Sequence, residues 1–209
     1  MTTFRTGHAA TLLNSGNVLV EGGGSGGAEI YYPAKHGWRA ASPMSVSRTR
    51  QSATLLPDGR VLVAGGYSVS TETATAEIYD PATGAWTLTG SMNVPRSGHG
   101  AVLLANGKVL VAGGFGGGNV GELKSCELYD PFTGTWTLTG SMLDKRNLHT
   151  TTRLADGLVL VAGGGALFLS YLTSAEIYDP ATGVWTPPAA CWRSAKATPL
   201  RCCKMERCS

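Results

Sequence analysis

A phrase of twelve residues, AEIYDPATGAWT at 76–87, returns almost unchanged as AEIYDPATGVWT at 175–186 and, one residue shorter, as ELYDPFTGTWT at 127–137. A worn copy, AEIYYPAKHGW, stands at 28–38. A chain that repeats itself this closely builds one small unit several times, each unable to bury its apolar surface without a neighbour. The shared residues therefore belong to the architecture. A site for a ligand has to break the symmetry, so function is sought where the copies differ.

The register extends beyond the phrase. Pairs of glycines stand at Gly22 and Gly23, Gly65 and Gly66, Gly113 and Gly114, and Gly163 and Gly164. Tyr31, Tyr79, Tyr129 and Tyr178 follow at steps of 48, 50 and 49, each seven residues ahead of Trp38, Trp86, Trp136 or Trp185. Before each glycine pair lie two short apolar runs around a turn: Ser15-Gly16, Asp58-Gly59, Asn106-Gly107 and Asp156-Gly157. Glycine accepts the positive φ of tight hairpins, so these are hairpin signals. The second run, such as Val109-Leu110-Val111-Ala112, is apolar on both faces, as a strand is when its sheet is covered on both sides. The YDP…TG…W phrase is a second hairpin. Each unit is expected to hold four short antiparallel strands, and with 29 glycines and only 15% charged residues nothing reads as a helix.

A period near 50 carrying these marks resembles the Kelch repeat over roughly residues 5–186. The resemblance implies an all-β chain of four Kelch-type blades: 1–38, 39–86, 87–136 and 137–186, followed by a non-repeat tail at 187–209. It also implies a partial, open propeller, cut from one with at least five blades. The outer faces of the first and last blades would then be bare and favour self-association. Chain order places the segment before each first strand and the loop after each glycine pair at one end of the blade, the end that commonly carries the ligand in related propellers.

The net charge of +3, without a basic stripe inside the repeats, argues against nucleic acid as a partner. No stretch reaches the ~18 apolar residues of a membrane helix. The opening MTTFRTGHAATLL lacks the regions of a signal peptide. The resemblance leaves secretion of intact relatives open, so no compartment is assigned. Arg5, Arg48, Arg96 and Arg146 open the units, and Glu29, Glu77, Glu127 and Glu176 recur in the third strand. In register, they suggest a repeated ion-pair network rather than an arginine ring for an anion. His8, His99 and His149 follow three residues after the arginines, with Gln51 in the second unit. Histidines at equivalent positions on successive blades read as structural hydrogen bonders more than as a metal site, and no cofactor is expected.

The loops at 24–28, 67–75, 115–125 and 165–174 differ most. They and the segments before the first strands supply the ligand-binding candidates: Tyr67, Glu72, Phe115, Asn119, Lys124, Asp144, Lys145, Phe168 and Tyr171, with Thr71, Asn93, Glu122 and Asn147 beside them. No copy brings a nucleophile, base and orienting group together, which leans away from catalysis. Some Kelch-like propellers are copper radical oxidases related to galactose oxidase, needing two tyrosines, two histidines and a cysteine joined to one tyrosine. Here Cys126 merely replaces the alanine at 28, 76 and 175, so the resemblance does not carry the enzyme across. The expected role is a non-catalytic module binding a protein or glycan through its loop face. The alternatives are the propeller part of a secreted galactose-oxidase-like enzyme whose catalytic residues lie elsewhere, and a truncated product without function.

Four of the five cysteines lie in the tail as Cys191, Cys202, Cys203 and Cys208, without the paired C-x2-C of a zinc site. Back-translated and shifted by two bases, the tail can read SMLAVREGHTATLLQDGKVL. This compares with SMNVPRSGHGAVLLANGKVL at 91–110. The tail is therefore expected to be the frameshifted remnant of a fifth repeat.

Overall fold

The expected hairpins form. In blade 1, β1 (His8–Leu12), β2 (Val18–Gly22), β3 (Ala28–Tyr32) and β4 (Gly37–Ala41) make one antiparallel sheet in chain order. Blade 2 has β5 (Ser52–Leu55) and β6 (Val61–Ala64), a small hairpin of β7 (Tyr67–Ser68) and β8 (Thr71–Glu72), then β9 (Ala76–Asp80) and β10 (Ala85–Thr89). Blade 3 has β11 (Gly100–Leu103), β12 (Val109–Ala112), β13 (Cys126–Asp130) and β14 (Thr135–Thr139). Blade 4 has β15 (Thr150–Arg153), β16 (Val159–Ala162), the β17 (Gly165–Ala166) and β18 (Ser170–Tyr171) hairpin, then β19 (Ala175–Asp179) and β20 (Val184–Thr186). This computed structural model describes residues 1–24, 27–166 and 170–188. Phe168 and the tail from 189 onward, with its expected change of frame, lie outside the described residues.

First strands of successive blades pack side by side, β1 on β5, β5 on β11 and β11 on β15, around a central channel. Among the described residues no comparable packing joins β15 to β1, so the ring is open. The apolar runs explain themselves in this geometry. In β6, Val61 and Val63 pack toward blade 1 with Leu19, Ala28 and Tyr79. Leu62 and Ala64 pack toward blade 3 with Val109, Val111, Tyr129 and Trp136. Blades 3 and 4 repeat the arrangement with Leu110, Val159, Val161, Tyr178 and Trp185. Each buried aliphatic side chain contributes ~1.5–3 kcal/mol, so most of the stability lies between blades rather than within them. Leu160 of blade 4 is half-buried, whereas its equivalents Leu62 and Leu110 are buried.

The repeated phrase is a clasp as well as a hairpin. Asp80 caps its own turn, its carboxylate accepting from Ala82 N (2.8 Å) and Thr83 Oγ1 (3.0 Å). Gly84 follows with φ +72. Asp179, Thr182 and Gly183 do the same in blade 4. Blade 1 has Tyr32 in place of the aspartate, and there Pro33–Lys35 forms a 3-10 turn with His36 left-handed at φ 46. Tyrosine and tryptophan pair across the hairpin with ring centroids 4.9–5.1 Å apart. Their polar atoms reach the preceding blade. Tyr129 and Tyr178 hydroxyls meet Thr89 and Thr139 Oγ1 at 2.7 and 2.8 Å. Trp86, Trp136 and Trp185 Nε1 donate to the carbonyls of Ser42, Gly90 and Gly140 at 2.8–2.9 Å. Trp38 makes no such bond among the described residues and is 37% exposed.

The arginine–glutamate pairs are structural. Arg48, Arg96 and Arg146 are fully buried and donate to Glu77, Glu127 and Glu176 at 2.8–2.9 Å. The same guanidinium groups donate to carbonyls of their own blade, Gly65 and Thr75 in the case of Arg48. Meanwhile the Arg48, Arg96 and Arg146 carbonyls accept from Gly23, Gly66 and Gly114 of the blade before. Each arginine thus rivets the linker between blades to both of them.

Candidate functional site

The loop face is ordered by one conformation used four times. Gly7, Arg50, Gly98 and Leu148 occupy equivalent positions before the first strands, all left-handed at φ 65, 56, 60 and 51. Arg50 N donates to Gly7 O (2.7 Å), Gly98 N to Arg50 O (2.9 Å) and Leu148 N to Gly98 O (2.8 Å). This string of bonds runs across all four blades at the mouth of the channel. The residue just before each turn is clamped by paired backbone bonds to the residue after the glycine pair: Thr49 with Tyr67, Ser97 with Phe115, Asn147 with Gly165, all at 2.7–3.0 Å. An aromatic residue is therefore held at the mouth in blades 2 and 3, and a glycine in blade 4.

Three of the candidate residues converge there. Tyr67 and Glu72 from blade 2 and Phe115 from blade 3 line a cleft of about 440 Å³ together with Thr6, Gly7, Thr49 and Arg50. Tyr67 is 41% exposed and Glu72 is buried, accepting from Ser97 Oγ at 3.3 Å. Glu72, Glu122 and Tyr171 are equivalent positions, since each precedes the residue whose N–H returns to the second glycine (Thr73 to Gly66, Leu123 to Gly114, Leu172 to Gly164). Glu122 is buried like Glu72, whereas Tyr171 is 90% exposed.

The other candidates are placed away from the cleft lining. Asn119, Lys124 and Lys145 are exposed. Asp144 is held by the blade-4 network, accepting from Ser174 Oγ at 2.7 Å with Arg146 at 3.7 Å. Phe168 lies outside the described residues. Sequence reasoning passed over Arg50, Thr6 and Thr49. Arg50 could have been found as an arginine where the first and third units carry glycine.

The histidines lie along the inner strands. His99 Nε2 bonds Ser52 Oγ at 2.8 Å, and burial, helped by the Arg96 and His149 charges, lowers its pKa to about 3. Burial and Arg146 lower that of His149 to about 4. Cys126 packs in the core between blades 3 and 4, its thiol pushed up to about 12 by burial. Among the described residues no three His, Cys, Asp or Glu side chains are grouped to hold a metal ion.

One departure from the repeat is electrostatic. Glu21 replaces the alanine found at 64, 112 and 162, is buried against Gln51, and receives its amide Nε2 at 3.0 Å. Burial pushes its pKa up to about 8 from the ordinary 4.5. A carboxyl raised on folding stabilises fully below its unfolded pKa, and that contribution is lost as pH rises from about 4.5 through 8. The two histidines act oppositely, losing stability as pH falls below 6.5. Glu21→Gln keeps the shape without the charge. Its melting temperature is expected to match the parent at about pH 4 and to exceed it by roughly 10 °C at about pH 9, read by thermal melts across pH.

The Kelch motif model matches residues 48–93, 95–143 and 149–190. The chain belongs to the Kelch-motif family. Two solved structures share the fold of this Kelch chain. One, described as the structure of YjhT, has 15% identity and a TM-score of 0.76, with 92% of this chain and 68% of that one covered. The other is a fungal alcohol oxidase of the AA5 family in complex with copper, at 18% identity and a TM-score of 0.58. That match covers 88% of this chain, which spans about half (53%) of the oxidase. No curated protein matches the sequence. No helix among the described residues is long and apolar enough to cross a membrane.

Proposed function

We propose that this Kelch chain is a non-catalytic recognition module that takes a protein or carbohydrate partner on its loop face. The observation that carries this reading is the convergence of unlike residues on one cleft. Thr6, Arg50, Tyr67, Glu72 and Phe115 come from three blades and stand at positions the repeat does not hold constant. Two aromatic side chains offer apolar faces at low entropic cost, and a carboxylate beside hydroxyls offers polar contacts. The test is a glycan array and a defined peptide library probed with the full chain and with the Tyr67→Ala/Phe115→Ala double variant. A ligand bound by the parent is expected to weaken at least tenfold in the variant, and equal binding by both sinks the reading.

A second reading is supported by the likeness to the copper-containing alcohol oxidase: this chain would be the propeller portion of a galactose-oxidase-like secreted enzyme. On that reading the catalytic residues lie in further blades or another domain outside this stretch. Stoichiometric copper binding and turnover of an alcohol by an intact relative that carries the further blades would favour it over the first.

A further inference from the structure

Gly7 and Gly98 show that the left-handed turn at the channel mouth needs only a backbone. At φ 56, Arg50 carries a conformational penalty that glycine avoids. Its side chain also does none of the work done by the other register arginines. Arg48, Arg96 and Arg146 are buried and spend their donors on Glu77, Glu127, Glu176 and backbone carbonyls. Arg50 is exposed, and among the described residues its guanidinium makes no ion pair or hydrogen bond. Its stem passes over Gly7, whose missing Cβ would stand 3.4 Å from Arg50 Cγ, so a larger residue there would crowd it. Arg50 lines the cleft together with Tyr67, Phe115 and Glu72.

Resting on the recognition reading above, we infer that this cleft binds an acidic sugar: a pyranose carrying one carboxylate. Arg50 supplies a planar fork of donors that matches a carboxylate bidentately. Tyr67 and Phe115 supply faces for the apolar C–H surface of a ring. The Glu72 carboxylate and the Thr6 and Thr49 hydroxyls supply acceptors for ring hydroxyls. The charge balance selects a carboxylate over a phosphate. One guanidinium neutralises one negative charge, whereas a dianion would meet the Glu72 carboxylate with its second.

The test is calorimetric titration of the full chain with galacturonate, galactose and galactose 6-phosphate, repeated with Arg50→Gln and Arg50→Gly. Galacturonate is expected to bind at least tenfold more tightly than either other sugar, and more weakly as salt is raised. Both variants are expected to lose that preference. Arg50→Gly should at the same time melt higher than the parent, because the turn is relieved, and this separates lost recognition from lost folding. Equal binding of galacturonate and galactose by the parent, galactose 6-phosphate as the tightest ligand, or undiminished galacturonate binding by Arg50→Gln overturns the inference. Should a neutral glycan or a peptide bind the loop face independently of Arg50, the acidic-sugar assignment falls and the recognition module stands. If no glycan or peptide binds at all, both fall.

Discussion

Glu127→Ala is expected to unfold the chain or leave it barely folded, with a stability loss of about 3–5 kcal/mol. The carboxylate of Glu127 accepts from Arg96 at 2.9 Å, from the Asn93 backbone and side-chain nitrogens at 2.7 and 2.8 Å, and from Val94 N at 3.1 Å. Arg96 is 0% exposed, so removing the partner leaves a cation in a dry site beside three stranded donors. Natural domains have only about 5–15 kcal/mol in hand, so a loss of this size takes a large share of it. Urea denaturation of parent and variant measures the loss. The control is the Arg60–Asp58 pair, about 42–46% exposed at the side chains. Exposed pairs are worth ~0–1 kcal/mol, so Asp58→Ala should move the midpoint little. A Glu127→Ala protein as stable as the parent would show that the pair is dispensable.

Gly90→Ala is expected to cost about 2–4 kcal/mol, a large effect for one methyl group. Gly90 lies where the outer edge of blade 2 touches blade 3 backbone to backbone. Its N–H donates to Gly134 O at 3.1 Å and its carbonyl accepts from Trp136 Nε1 at 2.8 Å. A Cβ at Gly90 would run into that same Gly134 oxygen, and Gly134 is itself held in its turn by its N–H to Asp130 O at 2.8 Å. Gly140 meets Gly183 O in the same way between blades 3 and 4. No positive φ is involved at Gly90, so the penalty is purely one of space. Gly37→Ala is the matched comparison, because the nearest atom to its added Cβ is Lys35 O at 3.6 Å. That change should stay within about 0.5 kcal/mol of the parent. Chemical denaturation of the two alanine variants side by side decides the matter, and equal midpoints would contradict the close approach.

The blades were legible because their chemistry is local and repeated four times. Asp80, Thr83 and Gly84 form a turn from their own neighbours, and Val-Leu-Val-Ala marks a doubly covered strand. The tyrosine–tryptophan spacing fixes a cross-strand pair whose polar atoms then find the next blade. The cleft was only partly legible. Tyr67, Glu72 and Phe115 stood out as loop aromatics and charges. Asp144 stood out equally, yet it belongs to the Arg146–Glu176 network. Nothing in the linear order distinguishes a variable residue that faces a ligand from one that shores up an end blade. The equivalence of Glu72, Glu122 and Tyr171 was hidden because the loops between them and their glycine pairs differ in length. Arg50 escaped because its importance lies in a backbone angle shared with Gly7 and Gly98, which composition does not display.

The hydrogen bonds that string Gly7, Arg50, Gly98 and Leu148 together all point the same way, each N–H toward the unit before it. The tryptophan N–H groups point the same way too. Gly23, Gly66 and Gly114 N–H reach the other way, forward to the carbonyls of Arg48, Arg96 and Arg146, so the array has two unlike ends, each with its own pattern of donors and acceptors. A unit copied by tandem duplication can be appended at either end with no new chemistry, whereas two like ends meet with mismatched groups. These bonds set the direction of growth and leave the final count to the wedge angle between neighbouring sheets. In such a lineage the number of repeats is free to drift while the inside of each one cannot.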